Sequence, residues 1–223
     1  MNNIQLNRMI DHTILKPEAT GQDVIRLCEE GLKYNFWSVV VNTHYVKLAA
    51  SRVEGSEVRV CSIAGFPLGA VNSAVKAFET ERAVEDGADE IDMVLNIGAF
   101  KSGKRDFARE DIAGVVKAAG PQVLVKVIIE AALLSDEEKA EACRLVIDAG
   151  ADFVKTSTGF GPPGANPRDV RIMRKAVGDR IGVKASAGIR TAAAAMELID
   201  AGADRIGTSS GVAIMKDFDS GDF

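Results

Sequence analysis

The sequence predicts an α/β protein that forms a single-domain (β/α)8 TIM barrel over residues 1–223. Short apolar runs alternate with helix-forming segments about eight times, as expected for successive βα units on a parallel sheet. A short pattern recurs just before three of these runs, and each unit has about 28 residues, which suits a compact barrel. An open doubly wound sheet is the alternative, because periodicity does not show closure.

Eight short apolar runs are the predicted strands. They are Asp11–Leu15, Phe36–Asn42, Val58–Ala64, Glu90–Asn96, Gln122–Glu130, Phe153–Ser157, Ile181–Ser186 and Arg205–Ser209. The segments between them are rich in Ala, Leu, Glu and Lys, which favour helices. The predicted helices include Thr20–Tyr34, Ala70–Asp86, Asp136–Ala149 and Ala192–Ala201.

The recurring pattern is Gly-Ala-Asp, preceded each time by an acidic residue and found at residues 85–89, 148–152 and 200–204. Its glycines, Gly87, Gly150 and Gly202, are predicted to end a helix in the left-handed conformation. Each copy therefore marks the joint at which a helix leads into the next strand.

Composition limits the classes of function. The chain is 47% apolar and 26% charged, with a net charge of −5 and no basic tract, so no nucleic-acid or anionic-membrane partner is expected. Met1–Ile14 has no uninterrupted apolar stretch for a signal peptide, and no run is long enough to span a membrane. Cys28, Cys61 and Cys143 are too far apart for a zinc or disulfide pattern. A cytoplasmic protein with reduced, mostly buried thiols is expected.

Four charged residues interrupt the apolar strands: Asp92, Lys126, Lys155 and Lys184. A closed barrel has no edge strand, so inward-facing lysines converge on the axis and need partners. We expect them to cluster around Asp92. Clustered ammonium groups depress one another's pKa, as does burial, so one of the amines would be neutral near pH 7 and able to attack a carbonyl. Asp92 would hold a second ammonium or pass protons through a water.

Hydroxyl and glycine residues follow the last three strands, where many barrels bind phosphate through backbone N–H groups. The candidates are Thr158, Gly159, Gly188, Gly207, Ser209 and Ser210. His12 and His44 are too few for a metal set, so no metal is expected. His12 either lines the barrel mouth or belongs to an internally hydrogen-bonded group, and Trp37 is assigned to packing.

Several motifs, taken together, resemble the deoxyribose-phosphate aldolase family of class I aldolases over nearly the whole chain. They are Ile10-Asp11-His12-Thr13, Leu15-Lys16-Pro17, Gly65-Phe66-Pro67-Leu68-Gly69, Gly87-Ala88-Asp89-Glu90-Ile91-Asp92, Lys126-Val127-Ile128-Ile129-Glu130, Lys155-Thr156-Ser157-Thr158-Gly159, Val183-Lys184-Ala185-Ser186, Gly188-Ile189-Arg190-Thr191 and Gly207-Thr208-Ser209-Ser210. The resemblance implies reversible cleavage of 2-deoxy-D-ribose 5-phosphate to acetaldehyde and D-glyceraldehyde 3-phosphate by a homodimer or higher homo-oligomer, without metal or organic cofactor.

By the same resemblance, Lys155 is the Schiff-base lysine, Asp92 a proton-relay carboxylate, and Lys184 the lysine that perturbs the nucleophile and shuttles protons. Asp11 and Lys126 match polar residues that support the site. Of the phosphate-loop candidates, the resemblance covers Gly159, Gly188, Gly207, Ser209 and Ser210.

The chain also departs from the family pattern. Ala187 stands where the family usually has glycine, which predicts weaker phosphate affinity, and Val40 stands in a strand that often carries cysteine. The loop Gly161–Gly164 is unusual, and the longer C-terminal tail of some members is not expected in this chain.

Two other functions are compatible with the pattern. One is a different phosphosugar lyase or isomerase, for which Glu130 is the obvious catalytic glutamate. The other is a catalytically silent sugar-phosphate-binding barrel or assembly subunit. Retention of Asp92, Lys155 and Lys184 together favours the enzyme over the silent barrel.

Overall fold

The computed structural model describes residues 5–161 and 163–221. Eight parallel strands form a closed barrel in sequential order, and β8 pairs with β1, so the open-sheet alternative is wrong. The strands are β1 (Ile10–Ile14), β2 (Ser38–Val41), β3 (Arg59–Ala64), β4 (Glu90–Val94), β5 (Leu124–Ile128), β6 (Phe153–Lys155), β7 (Gly182–Ser186) and β8 (Arg205–Thr208).

Helices connect the strands and surround the barrel. They are α1 (Gly21–Tyr34), α2 (Val46–Val53), α3 (Ser73–Glu85), α4 (Ile97–Lys101), α5 (Arg105–Ala119), α6 (Asp136–Asp148), α7 (Pro167–Val177), α8 (Ala192–Asp200) and α9 (Gly211–Ser220), with short 3-10 turns at Leu6–Met9, Thr43–Tyr45 and Ala131–Leu133. Side-chain caps fix several helix starts. Thr20 and Ser135, for example, form capping boxes with Asp23 and Glu138.

The eight predicted strands all form, and the differences lie at their ends. The predicted run Gln122–Glu130 is shortened to β5, because Glu130 adopts a left-handed backbone conformation with φ 47°. The predicted helices all form within three residues of their expected starts.

The Gly-Ala-Asp repeat has a common structural role. Gly87, Gly150 and Gly202 all have positive φ (103°, 83° and 110°), which confirms the predicted helix ends. Each following aspartate also forms a reciprocal pair with the preceding strand, in which its N–H donates to a valine carbonyl and its Oδ2 accepts from the same valine's N–H. The pairs are Asp89 with Val60, Asp152 with Val125, and Asp204 with Val183, with distances of 2.8–2.9 Å. The repeat thus sets the register of β4, β6 and β8 against their neighbours.

The apolar core lies mainly between the outward faces of the strands and the helices. Val39, Ile91, Val127 and Ile206 belong to this layer and are fully buried. Every second residue of each strand points instead to the barrel axis. This inner layer is not apolar, because many of these residues are charged.

Candidate active site

Asp92 lies at the centre of the barrel and holds all three strand lysines. Its Oδ2 accepts from Lys155 Nζ at 2.7 Å and from Lys184 Nζ at 2.8 Å, and its Oδ1 accepts from Lys126 Nζ at 2.9 Å. Asp92, Lys126 and Lys184 are 0% exposed, and Lys155 is 4% exposed. The cluster predicted from the sequence therefore forms, with Lys155 as its outermost lysine.

A second set of charges lies below this cluster. Asp11 contacts Lys184 Nζ at 2.5 Å and Arg205 Nη1 at 2.8 Å, and it accepts from Ser38 Oγ at 2.7 Å. Glu90 pairs with Lys126 and lies 3.5 Å from Arg205. Asp11 and Lys126 thus pair with Lys184 and Asp92, and the supporting role that the resemblance implies for them stays a prediction.

Charge balance distinguishes Lys155 from its neighbours. The carboxylates of Asp11, Glu90 and Asp92 face Lys126, Lys184 and Arg205, so these pairs balance one for one and a proton on Lys155 would add a surplus positive charge. Burial lowers the pKa of Lys155, and the charge on Lys184 acts in the same direction; together they outweigh Asp92, which opposes them. Lys155 is therefore the lysine most readily left as a neutral amine.

The pKa values of the other two lysines shift in the opposite direction from that of Lys155. Burial alone would lower the pKa of Lys184, but Asp11 and Asp92 raise it above its ordinary value. Burial likewise opposes the charged form of Lys126, yet Asp92 and Glu90 hold its pKa well above normal. The expected mutual depression does act on Lys184, whose pKa Lys126 lowers, but each of these two lysines faces a second carboxylate that outweighs it, so both keep their charge.

The pKa of Asp92 is also displaced. Burial would raise it, but the charges of Lys126, Lys155 and Lys184 hold it well below the ordinary value. Asp92 is thus a permanent anion whose two oxygens are occupied by donors.

A cavity of about 640 Å³ opens at the C-terminal ends of the strands, the usual position of a barrel active site. Lys155 is the one member of the central cluster that lines it. Gly159, Gly188, Gly207 and Ser209, four of the predicted phosphate-binding residues, line it as well.

Two other phosphate candidates are placed less favourably. Thr158 lines the cavity, but Glu130 Oε2 accepts both its N–H at 3.2 Å and its hydroxyl at 2.5 Å. Ser210 does not line the cavity, and its N–H donates to Thr208 Oγ1 at 2.9 Å. Both donors of Thr158 and the backbone N–H of Ser210 are therefore already used within the protein.

Gly207 has a clear steric reason to be glycine. A methyl group there would lie 3.0 Å from Lys184 Cε and 2.9 Å from Ser186 Cβ. The missing side chain therefore leaves room for the stem of Lys184 to reach Asp92.

Ala187 lines the same cavity with φ 77°, a conformation that favours glycine. Its methyl group lies beside Gly159, since a Cβ built on that glycine would be 3.5 Å away. The departure noted in the sequence thus places an extra methyl between the loops that follow β6 and β7.

Sequence reasoning named Asp11 but missed the other members of the lower charged layer, Glu90 and Arg205. Trp37, which was assigned to packing, donates from Nε1 to Glu90 Oε1 at 2.7 Å, and the Arg205 guanidinium lies 4.2 Å from its ring centre. Strand alternation was an available signal, because Glu90 is two residues before Asp92 and so must share its inward face.

Three basic residues at the cavity were also missed: Lys16, Arg26 and Arg190. Lys16 lies two residues after the first strand and Arg190 four residues after the seventh, which was a usable signal. His12 lines the cavity and contacts Glu30 Oε2 through Nε2 at 2.7 Å, so it both lines the mouth and is hydrogen-bonded. Burial lowers its pKa.

The cysteines are buried and free of disulfides. Burial raises the pKa of Cys28 to about 11 and that of Cys143 to about 12. Within residues 5–161 and 163–221, no group of three or more His, Cys, Asp or Glu side chains is arranged to hold a metal ion. Pro162 of the unusual Gly161–Gly164 loop lies outside the described residues.

The closed barrel and its lysine-lined cavity define a barrel enzyme of the aldolase class, a carbon–carbon lyase. Residues 6–217 match the model of the DeoC/LacD family aldolase, and the chain belongs to this family. It is 58% identical over 213 residues to the deoxyribose-phosphate aldolase of Streptococcus gordonii, covering 96% of both chains. It is 53% identical over 225 residues to that of Carboxydothermus hydrogenoformans, covering 100% of this chain and 99% of the relative.

Solved structures agree in fold. An aldolase named QR15 superposes with a TM-score of 0.93 at 41% identity, covering 99% of this chain and 97% of that one. The deoxyribose phosphate aldolase of Aeropyrum pernix, described as a unique tetrameric structure, superposes with a TM-score of 0.90 at 37% identity, covering 96% of this chain and 91% of that one.

Proposed function

We propose that this chain is a class I aldolase that reversibly cleaves 2-deoxy-D-ribose 5-phosphate to acetaldehyde and D-glyceraldehyde 3-phosphate. The observation that carries the proposal is Lys155: within the central cluster it is the lysine that lines the cavity and the lysine whose pKa is lowered. The names of the relatives support the choice of substrate.

Lys155 is proposed as the nucleophile. Its neutral amine attacks the aldehyde carbon of the open-chain sugar, and loss of water leaves an iminium ion. The C2–C3 bond then breaks as the C3 hydroxyl loses its proton, so that C3 becomes the aldehyde carbon of D-glyceraldehyde 3-phosphate. The bonding electrons pass to the iminium and give an enamine, which takes up a proton at C2 and is hydrolysed to acetaldehyde.

Asp92 and Lys184 are proposed to manage the protons. Asp92 Oδ2 is shared by the two lysine nitrogens, so it can keep an N–H of the iminium in place while Lys184 gives or takes a proton through a water. Because the pKa of Asp92 is strongly lowered, we assign it the role of an anionic relay that orients both nitrogens rather than that of a strong base.

The phosphate is proposed to bind at the loops after β7 and β8, through backbone N–H groups near Gly188 and Ser209. Lys16, Arg26 and Arg190 also line the cavity and would add positive charge at its rim.

We further propose that the protein is a cytoplasmic homo-oligomer. None of the helices among the described residues is long and apolar enough to cross a membrane. An exposed apolar patch supports a contact between copies: Val75 and Phe78 lie on α3, and Leu68 and Val71 precede it, with exposures of 42–76%. Light scattering of wild-type protein and of Phe78→Asp tests this, since a monomeric wild type would refute the contact.

The central test is reduction with borohydride in the presence of acetaldehyde, followed by peptide mapping. An ethyl group on Lys155, absent in Lys155→Leu, supports the iminium mechanism, and the buried Lys76 between α3 and α5 should stay unmodified as an internal control. Unlabelled protein would favour the silent barrel. Labelled protein that fails to cleave deoxyribose 5-phosphate would favour a different lyase.

A further inference from the structure

Glu130 occupies a backbone position that glycine would fill more easily. It follows β5 with φ 47° and ψ 65°, and its side chain is 7% exposed. The backbone on each side is held to β6 and its continuation: Ile129 N–H donates to the Lys155 carbonyl at 3.0 Å, and Ala131 N–H donates to the Thr156 carbonyl at 2.8 Å. A residue kept in this conformation is expected to contribute through its side chain.

The Glu130 side chain reaches the segment that follows Lys155. Its Oε2 accepts the N–H of Thr158 at 3.2 Å and the hydroxyl of Thr158 at 2.5 Å. Thr158 Oγ1 in turn accepts the N–H of Phe160 at 3.2 Å. One oxygen of the Glu130 carboxylate thus fixes both donors of Thr158. Because the Thr158 hydroxyl in turn accepts from Phe160, the same oxygen also fixes the course of the chain to Phe160.

This segment forms a wall of the cavity. Thr158, Gly159 and Phe160 line it together with Lys155. No lysine, arginine or histidine among the described residues lies within 4.0 Å of the Glu130 carboxylate, and its Oε1 is buried without a hydrogen-bond partner there. The carboxylate therefore serves Thr158 rather than an ion pair.

We infer that Glu130 is a positioning residue, which acts through Thr158 to hold the Thr158–Phe160 segment against the part of the sugar phosphate that extends beyond Lys155. The inference rests on the proposed function. Glu130 is the glutamate that the sequence offered as the catalytic residue of a rival lyase. Here it positions substrate and does not contact the reacting atoms.

The test compares two reactions that differ in how much of this wall they need. Trapping of acetaldehyde by borohydride needs Lys155 and its charged neighbours but not the Thr158–Phe160 wall, whereas cleavage of deoxyribose 5-phosphate needs both. In Glu130→Gln the amide keeps an acceptor for Thr158 but loses the charge and buries unpaired N–H donors. We expect KM for the sugar phosphate to rise about tenfold, while the rate of acetaldehyde trapping at Lys155 stays within about twofold.

Thr158→Val removes the hydroxyl while preserving the shape of the side chain, and it should raise KM in the same way. The double variant should be no worse than the poorer single variant, because both substitutions break one linkage. Should Glu130→Gln fail to fold, Thr158→Val carries the test alone. Glu137→Gln is the matched control, since Glu137 also accepts from a serine hydroxyl but is exposed and lies away from the cavity.

An unchanged KM in Glu130→Gln or Thr158→Val would overturn the inference. So would additive effects of the two substitutions, or an equal loss of acetaldehyde trapping, which would indicate general loss of structure. Failure of the proposed function is separate, because it is observed in the wild-type protein as missing Lys155 label or missing cleavage.

Discussion

The charge on Lys184 should control the pH at which Lys155 becomes reactive. Both nitrogens hydrogen-bond to Asp92 Oδ2, at 2.8 and 2.7 Å, so they are at most about 5.5 Å apart. At an effective dielectric constant of about 20, two unit charges at that separation repel by about 3 kcal/mol. This corresponds to about a hundredfold difference in the fraction of Lys155 that is neutral.

The perturbation is Lys184→Met, which removes the charge and keeps much of the volume. Without Lys184, the proton on Lys155 is needed to balance the three interior carboxylates, so the pKa of Lys155 should rise. In a plot of the rate of iminium formation against pH, the rising limb, where Lys155 loses its proton, should therefore move to higher pH. At pH 7 the variant should be trapped about a hundredfold more slowly than wild type, and the deficit should shrink as the pH increases.

The assay is the rate of borohydride trapping with acetaldehyde, measured across pH for wild type, Lys184→Met and Lys184→Arg. The arginine variant keeps the charge, so its limb should stay at the wild-type position even if proton transfer is slower. The position of the limb reports the electrostatic effect, and its height reports proton transfer. A limb at the same pH in wild type and Lys184→Met would refute the reasoning.

Three further outcomes are expected. Ala187→Gly should relieve about 1–2 kcal/mol of strain in the left-handed backbone conformation, offset by about 0.4–1 kcal/mol from the greater entropy of the unfolded chain. The thermal midpoint of the variant should therefore not fall, and its affinity for phosphorylated substrate should rise. A weaker affinity would contradict this. Asp111→Ala should lower the free energy of unfolding in urea by about 3–5 kcal/mol, because it leaves the buried Lys76 ammonium without a partner. The double variant Asp111→Leu with Lys76→Met should lose less stability. Equal losses would argue against an ion pair. Val40 faces the barrel interior, so a thiol introduced by Val40→Cys is expected to react with crotonaldehyde there and to increase inactivation. Equal inactivation rates in wild type and Val40→Cys would contradict this.

Strand alternation and strand-end chemistry allowed much of the site to be predicted from the sequence. Lys126, Lys155 and Lys184 each interrupt an apolar strand, and closure of the barrel leaves them few places other than the axis, where Asp92 lies. Which lysine is neutral could not be predicted, because that depends on a second carboxylate beside each of the other two.

Contacts between distant segments were harder to predict. The linkage of Glu130 to Thr158 joins residues 28 positions apart and depends on a left-handed backbone that glutamate rarely adopts. The same limit applies to Trp37, whose indole N–H partner Glu90 is 53 positions away. Local pattern indicates which face a residue occupies, but not which side chain it meets across the barrel.

The charged barrel interior has a consequence for protein engineering. Barrels of this type usually fill the axis with Val, Ile and Leu, and well-packed apolar replacements of buried ion pairs are often neutral or stabilising by about 1–4 kcal/mol. A variant library selected only for heat resistance is therefore expected to accumulate apolar substitutions that replace both partners of a pair, such as Glu90 together with Lys126, and to lose turnover as it does so. Directed evolution of this scaffold should select for catalysis in every round, and stabilising changes should be sought among the outer helices.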